Sequence, residues 1–388
     1  MEKAVLQPRA RVEERLLDGV ELITAAAAKD GSITPIPARR ADAHGLTLSL
    51  MWPLPEPPSS SPANSRTSIR VAIISDIHYA CEAEKARRHT ILDPIQPRWR
   101  RQLVYHYRYW FWLRDAFAHN HLLDRFLAET AEADLCVANG DFSCDSAYLG
   151  LMDDPAFQSA TECLEKLRSV FGERFHATFG DHEIGKKMLA ADVGGLRLTG
   201  YRRAQVELGL RPLWSFEVGR YVLIGITSTL VAMPVYEQEA LAEEIPEWRR
   251  LHDEHMQDIR EIFSNLKPDQ RVLLFCHDPT ALPFLWHDET IRKKLPQIER
   301  TIIGHLHSPS MLWQSRLLSG LPVINFLGHT PRRLSSALRE ARHWKPFKIL
   351  LCPSPSGMQL FKDGGYYLAH LDPEARRPVQ FTFRPLTW

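Results

Sequence analysis

Cysteine is scarce along this 388-residue chain: six residues, Cys81, Cys136, Cys144, Cys163, Cys276 and Cys352, with no C-x-x-C pair among them. Several lie inside apolar runs as small buried hydrophobes, so no disulfide framework is expected and a reduced, cytoplasmic setting is the simpler reading. Net charge is nearly absent as well. The 48 Lys and Arg face 47 Asp and Glu, so no global field draws the protein to nucleic acid or to a membrane, and any basic surface must be local. Long apolar runs are missing too. The longest uncharged stretch, Tyr221 to Tyr236, holds Gly225, Thr227, Ser228, Thr229 and Pro234; it is shorter than a membrane span needs and reads as a strand and loop. The first residues, with Arg9, Glu13 and Arg15, lack the apolar core of a signal peptide. No internal repeat is apparent.

What is present is a set of polar clusters in one order: Asp76-Ile-His78, Asn139-Gly-Asp141, Gly180-Asp-His182-Glu183, His277 and Gly304-His305-Leu-His307. Most of them close an apolar, β-branched run: Val71 to Ser75, Leu135 to Ala138, Val272 to Phe275 and Thr301 to Ile303. Such runs read as buried strands. In open α/β sheets the ligand crevice lies outside the carboxyl ends of strands, where side chains distant in sequence converge.

Carboxylate oxygen and imidazole nitrogen without thiolate suit Mn²⁺, Fe or Zn²⁺. Seven candidates, Asp76, His78, Asp141, Asp181, His277, His305 and His307, are too many for one tetrahedral centre. They fit two divalent ions sharing a bridging carboxylate, for which Asp141 is the natural choice. Two ions roughly 3.5–4 Å apart would acidify a bridging water and clamp both oxygens of an in-line displacement at phosphorus, so phosphoester hydrolysis is the favoured reaction.

The ordered set D-x-H, G-D, G-D-H-E, H and G-H-x-H resembles the calcineurin-like metallophosphoesterase family over about residues 69 to 371. The resemblance implies an α/β (α+β by some schemes) four-layer αββα sandwich. It places Asp76, His78, Asp141 and His307 on one metal, with Mn²⁺ foremost, and Asp141, Asp181, His277 and His305 on the other. His182 is then the unmetallated histidine near the leaving group, able to donate a proton there. Two departures stand out. Asp181 replaces the usual Asn, adding a third carboxylate. Gly140-Asp-Phe-Ser-Cys-Asp145 has one residue too many before its acid, which leaves either Asp145 or Ser143 to orient His182. The arginine that accompanies this motif in Ser/Thr protein phosphatases is missing.

A main domain is expected over 69–371, after an N-terminal part, 1–68, with a helix near Val12 to Ala28 and a Pro/Ser-rich arm from Pro53 to Ser65. A tail covers 372–388. Between the strand runs, helices are expected near Leu122 to Ala131 and Ala156 to Phe171, with further strands at Lys348 to Cys352 and Gly365 to Leu371. The gap between His78 and Asp141 is twice what a loop and one helix need, and an insertion at about 82–118 fills it. Its Arg98-to-Arg114 segment has five arginines, seven aromatics and no acid. On a helix, Trp99, Leu103, Tyr107, Trp110, Leu113 and Phe117 recur at steps of three and four.

That stripe has two readings: a bilayer interface, with Trp and Tyr at headgroup level, or packing on the sheet or a partner subunit. A second basic stretch, Arg332, Arg333, Arg339, Arg342, Lys345 and Lys348, follows the last histidine. A greasy, cationic rim built from Arg100, Arg101, Arg108, Trp110 and Trp112 would suit an amphiphilic substrate. By composition it resembles the UDP-2,3-diacylglucosamine pyrophosphohydrolases of lipid A synthesis, in which a metal-bound hydroxide releases UMP and arginines hold the remaining phosphate by forked hydrogen bonds. Such an enzyme would be peripheral on the cytoplasmic membrane face. Two other readings stand beside it: a soluble phosphodiesterase acting on cyclic nucleotides or small diesters, and a non-enzymatic scaffold of the same fold. Near-zero charge argues against a nuclease, and the oligomeric state is not set by the sequence.

Overall fold

The structure is a computed structural model that describes residues 68–144, 148–188, 191, 193–317 and 339–386. The expected N-terminal helix and Pro/Ser-rich arm lie outside those residues, as do Asp145, Arg332 and Arg333. Ten strands form two sheets. One runs β10-β9-β1-β2-β3 and the other β4-β5-β6-β7-β8. In the first, β1 (Ile69–Ile74), β2 (Leu135–Asn139) and β3 (Phe175–Thr178) are parallel, while β9 (Gly365–Leu371) joins β1 antiparallel. In the second, β4 (Leu213–Val218) pairs antiparallel with β5 (Tyr221–Ile226). The strands β6 (Arg271–Cys276), β7 (Ile298–Ile303) and β8 (Ile349–Leu351) continue it in parallel.

Alternation along each strand explains the layers. Val71, Ile73 and Val137 of one sheet meet Leu223, Leu273, Phe275 and Ile302 of the other in a core between the sheets. Their neighbours Ala72, Ile74, Ala138, Ile224 and Leu274 pack instead with helical residues such as Phe126, Leu164, Trp248 and Ile259. A strand buried on both faces has to read as a continuous apolar run, which is what these sequences show. The result is a mixed α/β sandwich of two five-stranded sheets flanked by helices. The indole Nε1–H of Trp214 on β4 donates to the Ala177 carbonyl on β3 at 2.9 Å and stitches the two sheets together.

Local signals account for the helices. The helix α3 (Asp154–Phe171) opens on Asp153, whose carboxylate accepts from Ala156 N–H, carries a proline in its first turn, and stops at Gly172 with φ 54°. Leu122, Leu123, Phe126 and Leu127 of α2 (Asn120–Thr130) are buried at helical spacing. After β5, the loop expected up to Tyr236 forms two one-turn helices, and the long amphipathic α4 (Ile245–Asn265) follows. The segment from 372 onward, expected as a tail, carries β10 (Gln380–Pro385) antiparallel to β9.

The aromatic segment differs from a packed helix. It is α-helical as α1 (Arg98–Tyr107), continues as a π turn over Arg108–Trp112, and goes extended at Leu113. The expected stripe therefore splits. Leu113 and Phe117 are buried with Ala80, Ala116 and Cys144, but α1 buries no residue and Leu103 is 61% exposed. Among the described residues this helix does not pack on a sheet as one reading expected: periodicity defines a face but not what the face meets.

His255 on α4 gives the core a pH signature. Its Nε2 accepts from Thr227 N–H at 3.2 Å, and burial, helped by His252, pushes the imidazole down to about 3 from 6.5. Burial also pushes His176, stacked between Trp214 and Phe216, down to about 4. Between these values and 6.5 the unfolded chain binds protons that the folded chain refuses. The contribution of these two histidines to stability is therefore full above pH 6.5 and falls as pH drops below it. The expected outcome is that His255→Gln, which keeps an acceptor for Thr227, flattens the decline in urea midpoint across that window, with chelator present in both samples. A slope equal to wild type would remove His255 from the account.

Candidate metal centre

Five strands bring the polar clusters to one end of the sandwich. Asp76 follows β1, Asp141 follows β2, Asp181 and His182 follow β3, His277 follows β6, and His305 and His307 follow β7. Because these five strands run parallel within their sheets, their carboxyl ends share an edge. The turns are cross-tied: Asp76 N–H donates to Gly140 O (3.0 Å), His78 N–H to Asp141 O (3.0 Å) and Gly304 N–H to His277 O (2.9 Å).

These turns are strained in a telling place. Among the described residues, eight non-glycine positions have positive φ, and five of them are Asp76, His78, Asp141, His305 and His307, at 51–60°. Each such residue costs on the order of 1–3 kcal/mol, which survives only where the surroundings enforce it. Gly140 (φ 85°) shows how tight the enforcement is. A Cβ there would sit 2.6 Å from Gly180 N and 2.8 Å from His277 Nδ1, so the motif glycine is required by close approach.

Hydrogen bonds set the tautomers. The Nδ1–H groups of His277, His182 and His78 donate to the carbonyls of Asn139 (2.6 Å), Cys144 (2.8 Å) and Ser143 (3.2 Å). Carbonyls only accept, so in each neutral ring the lone pair is left on Nε2, facing the centre. His78 Nε2 and Asp76 Oδ1 each lie 3.3 Å from His307 Nε2. Asp141 Oδ2 lies 3.3 Å from His277 Nε2, and Asp181 Oδ1 lies 3.4 Å from that nitrogen and 3.2 Å from His305 Nδ1.

Two groups emerge, Asp76–His78–Asp141–His307 and Asp141–Asp181–His277–His305, each with donor atoms within 4.8 Å of one another and with Asp141 common to both. Asp141 Oδ2, His277 Nε2 and His182 Nε2 are buried and have no hydrogen-bond partner. Lone pairs facing lone pairs, in a place where Asp76 and Asp141 have no exposed surface, are costly unless cations lie between them. Donor atoms about 2.0–2.2 Å from a shared ion at near-tetrahedral angles sit about 3.3–3.6 Å apart, the separations found here. The residues fit divalent metal ions, and an oxygen and nitrogen donor set without sulfur suits them.

Electrostatics of the chain alone point the same way. Burial pushes Asp76 up to about 6. Burial and the Asp181 charge push Asp141 up, but His182 and His277 outweigh them and hold it below the usual carboxylate range. Burial disfavours charge on His277, yet Asp141 and Asp76 raise it well above an ordinary imidazole. A proton on His277 thus supplies part of the positive charge that a bound cation would replace. Burial brings His182 down to about 4.

Three further groups complete the site. The buried Glu183 carboxylate accepts from Gly180 N–H (2.7 Å), Phe142 N–H (2.8 Å) and Asp141 N–H (3.1 Å), and so locks the β2 turn to the β3 turn. Burial and the Asp141 charge push it up to about 7, against the pull of those N–H groups. Lys186 Nζ lies 3.2 Å from Asp181 Oδ2 at the open side of the site. Burial works to raise Asp181, but Lys186 and His305 outweigh it and hold the carboxyl well below its usual value. Asp278 accepts from the Tyr236 hydroxyl and stands 4.0 Å from His305 Nε2. Glu183 was visible only as a motif letter, and Lys186 and Asp278 had no sequence signal beyond lying near motif residues.

Asp145, one of the two groups expected to orient His182, lies outside the described residues, and within them a backbone group holds the ring. Its recorded Nδ1 partner is the Cys144 carbonyl, while the Ser143 carbonyl serves His78 and the Ser143 hydroxyl is buried without a partner. Of the rim residues, Trp112 packs on His307 with ring centroids 4.9 Å apart. Arg101 instead binds Asp93 at 2.9 Å, Arg100 lies over Trp99, Arg108 is half-buried at the start of the π turn, and Trp110 is 62% exposed.

The family model described as calcineurin-like phosphoesterase matches residues 69–309. No curated protein matches the chain. Among solved structures, GAP50, titled the anchor in the inner membrane complex of Plasmodium, aligns with a TM-score of 0.35 at 10% identity, covering 82% of this chain and 84% of that one. The phosphopantetheinyl hydrolase PptH of Mycobacterium tuberculosis aligns with a TM-score of 0.29 at 13% identity, covering 62% and 84%.

The Asp181–Lys186 pair predicts a coupled effect on metal affinity. Asp181→Asn removes a negative charge and leaves the ammonium beside the ion, so affinity falls by at least about tenfold. Lys186→Met added to it removes that repulsion and recovers part of the loss. Chelator-competition titrations of the four proteins check this, and strictly additive effects would show that Lys186 does not act through Asp181.

Proposed function

The chain belongs to the calcineurin-like phosphoesterase family, and from that premise we propose that this metal-dependent phosphohydrolase works with two divalent cations on a lipid-linked diphosphate such as UDP-2,3-diacylglucosamine. The observation that carries the two-ion reading is Asp141, a fully buried carboxylate shared by both donor groups. Asp76, His78, Asp141 and His307 would hold one ion and Asp141, Asp181, His277 and His305 the other, with Mn²⁺ preferred over Fe or Zn²⁺. Such ions supply Lewis acidity toward phosphoryl oxygens and acidify water near neutral pH.

The protein's own groups do the rest. His182 stands outside both donor groups, and its Nδ1 proton is committed to the Cys144 carbonyl. Any proton it moves at the leaving oxygen is therefore carried on Nε2, 3.6 Å from Asp141 Oδ2. Glu183 holds the two turns that carry Asp141 and His182 at fixed separation. Trp112 covers one face of His307 and keeps water from that side. The same indole connects the centre to the aromatic segment, which supports an amphiphilic substrate over a fully soluble one.

Among the described residues no helix is long and apolar enough to cross a membrane, and all six cysteines are buried. Both fit the reading of a cytoplasmic enzyme working at the inner membrane face.

Metal content and turnover separate the roles. Asp141→Asn is expected to lose bound metal and activity together. His182→Ala is expected to keep its metal while turnover falls by about 10²–10⁴-fold. The assay is UMP release from UDP-2,3-diacylglucosamine in mixed micelles beside hydrolysis of a soluble aryl phosphodiester. Turnover of the diester alone would move the substrate to the soluble class, and near-normal turnover by the His182 variant would contradict its role.

A further inference from the structure

An exposed apolar surface flanks the site, built from two segments far apart in sequence. On the insertion, Trp99, Leu103 and Tyr107 follow one another at four-residue steps along α1 and are 59%, 61% and 45% exposed, with Trp110 beyond them at 62%. Beside them stands the loop that carries Leu360 and Phe361, each 51% exposed. The two are joined through backbone: Gln359 N–H donates to Trp112 O at 2.8 Å, Leu360 N–H to Phe111 O at 3.4 Å, and Arg114 N–H to the Gln359 side chain at 2.9 Å. Phe111 stacks on Tyr107, and Tyr107 leans on Trp112. This is a ridge of fixed shape rather than a scatter of apolar residues.

We propose that this ridge, α1 together with the loop around Leu360 and Phe361, docks on an anionic phospholipid bilayer and so holds the metal centre at the membrane surface. The proposal rests on the lipid-linked reading above and gives it a place of contact. Charge selects the occupant. Residues 98–114 carry five arginines and no acid, of which Arg101 and Arg108 have partners within the protein, and the loop sets Lys362 beside Asp363, whose carboxylate is bonded to Ser308. A second copy packed through the same face would set this positive charge against itself across a two-fold axis. An anionic headgroup layer accepts it. Trp and Tyr prefer headgroup depth, and Arg side chains reach back to the phosphates while their stems lie on apolar surface.

The ridge is also fixed to the site. Trp112 at one end packs on His307. At the loop end, the Asp363 carboxylate accepts from the Ser308 hydroxyl at 2.5 Å, next to His307 in the chain. Docking therefore presents the mouth of the centre to whatever lies among the headgroups.

The test is co-sedimentation with phosphatidylcholine vesicles, with and without phosphatidylglycerol, for wild type, Leu103→Ser and Phe361→Ser. Both positions are exposed and lie on different segments, and turnover of a soluble aryl phosphodiester reports that each variant is folded. Wild type is expected to bind the phosphatidylglycerol vesicles, less so as salt rises. Each variant should bind at least about tenfold more weakly, the effect of losing one buried Leu or Phe side chain. Diester turnover should stay unchanged. Absence of wild-type binding, or binding by both variants as tight as that of wild type, would overturn the proposal. So would a dimer in sedimentation velocity, or capture of a single-stranded oligonucleotide, lost in the same variants. Vesicle binding without any diester turnover would leave the docking surface standing and sink the hydrolase reading instead.

Discussion

Three carboxylates and four imidazoles gathered around Asp141 Oδ2 and His277 Nε2, neither of which has a hydrogen-bond partner, are the constraint on which this structure turns. With a neutral His277 ring nothing in the polypeptide satisfies Asp141 Oδ2 or His277 Nε2, so the arrangement makes sense as a receptacle for positive charge, brought by a proton or by a cation. The sandwich is the means of holding it. Parallel strands bring five chain segments to one edge, and the positive φ angles of Asp76, His78, Asp141, His305 and His307 turn their side chains inward. The strain of those turns is held by backbone bonds between them and by Glu183, which gathers three N–H groups onto one carboxylate.

Asp181 shows how one charge is accommodated. Two divalent ions would outweigh the carboxylates of Asp76, Asp141 and Asp181 by one charge, and Lys186, 3.2 Å from Asp181, would widen that margin to two. Without the ammonium, the extra carboxylate would weaken the pull on an anionic phosphate. With it, the donor strength of a third carboxylate is gained while the field at the mouth stays positive. Solvent reaches the pair only through the Lys186 side chain, 20% exposed against 4% for the buried Asp181.

Most of the strands, and the seven residues grouped around Asp141, stand out in the sequence for one physical reason. A parallel strand buried on both faces is an unbroken apolar run, so the polar residue that ends it stands out. Groups that act through the backbone left no such mark: the Cys144 carbonyl that holds His182 would be the same with another side chain at that position. Lys186 read as an ordinary surface lysine because only the fold brings it to Asp181. The loop at Leu360 and Phe361 has no period, and its link to the insertion spans 250 residues of chain. The aromatic stripe was legible as a face, but whether a helical face meets a sheet, a partner or solvent is decided by tertiary structure. The β4 strand and α4 were not marked out in advance, although both follow ordinary patterns.

Trp112 ties these levels together. It ends the π turn that breaks the expected helix, and the break lets Leu113 and Phe117 enter the core while α1 stays outside it. A continuous helix would have carried Trp112 onward with its own axis. The turn instead sets the indole against His307, whose Nε2 lies 3.3 Å from Asp76 Oδ1. An apolar wall at that point lowers the local dielectric and so strengthens every charge interaction within the centre. One irregular turn thus couples an exposed, basic and aromatic surface to the electrostatics of a buried site. A change in what covers α1 is felt first by the residue that closes one side of the centre.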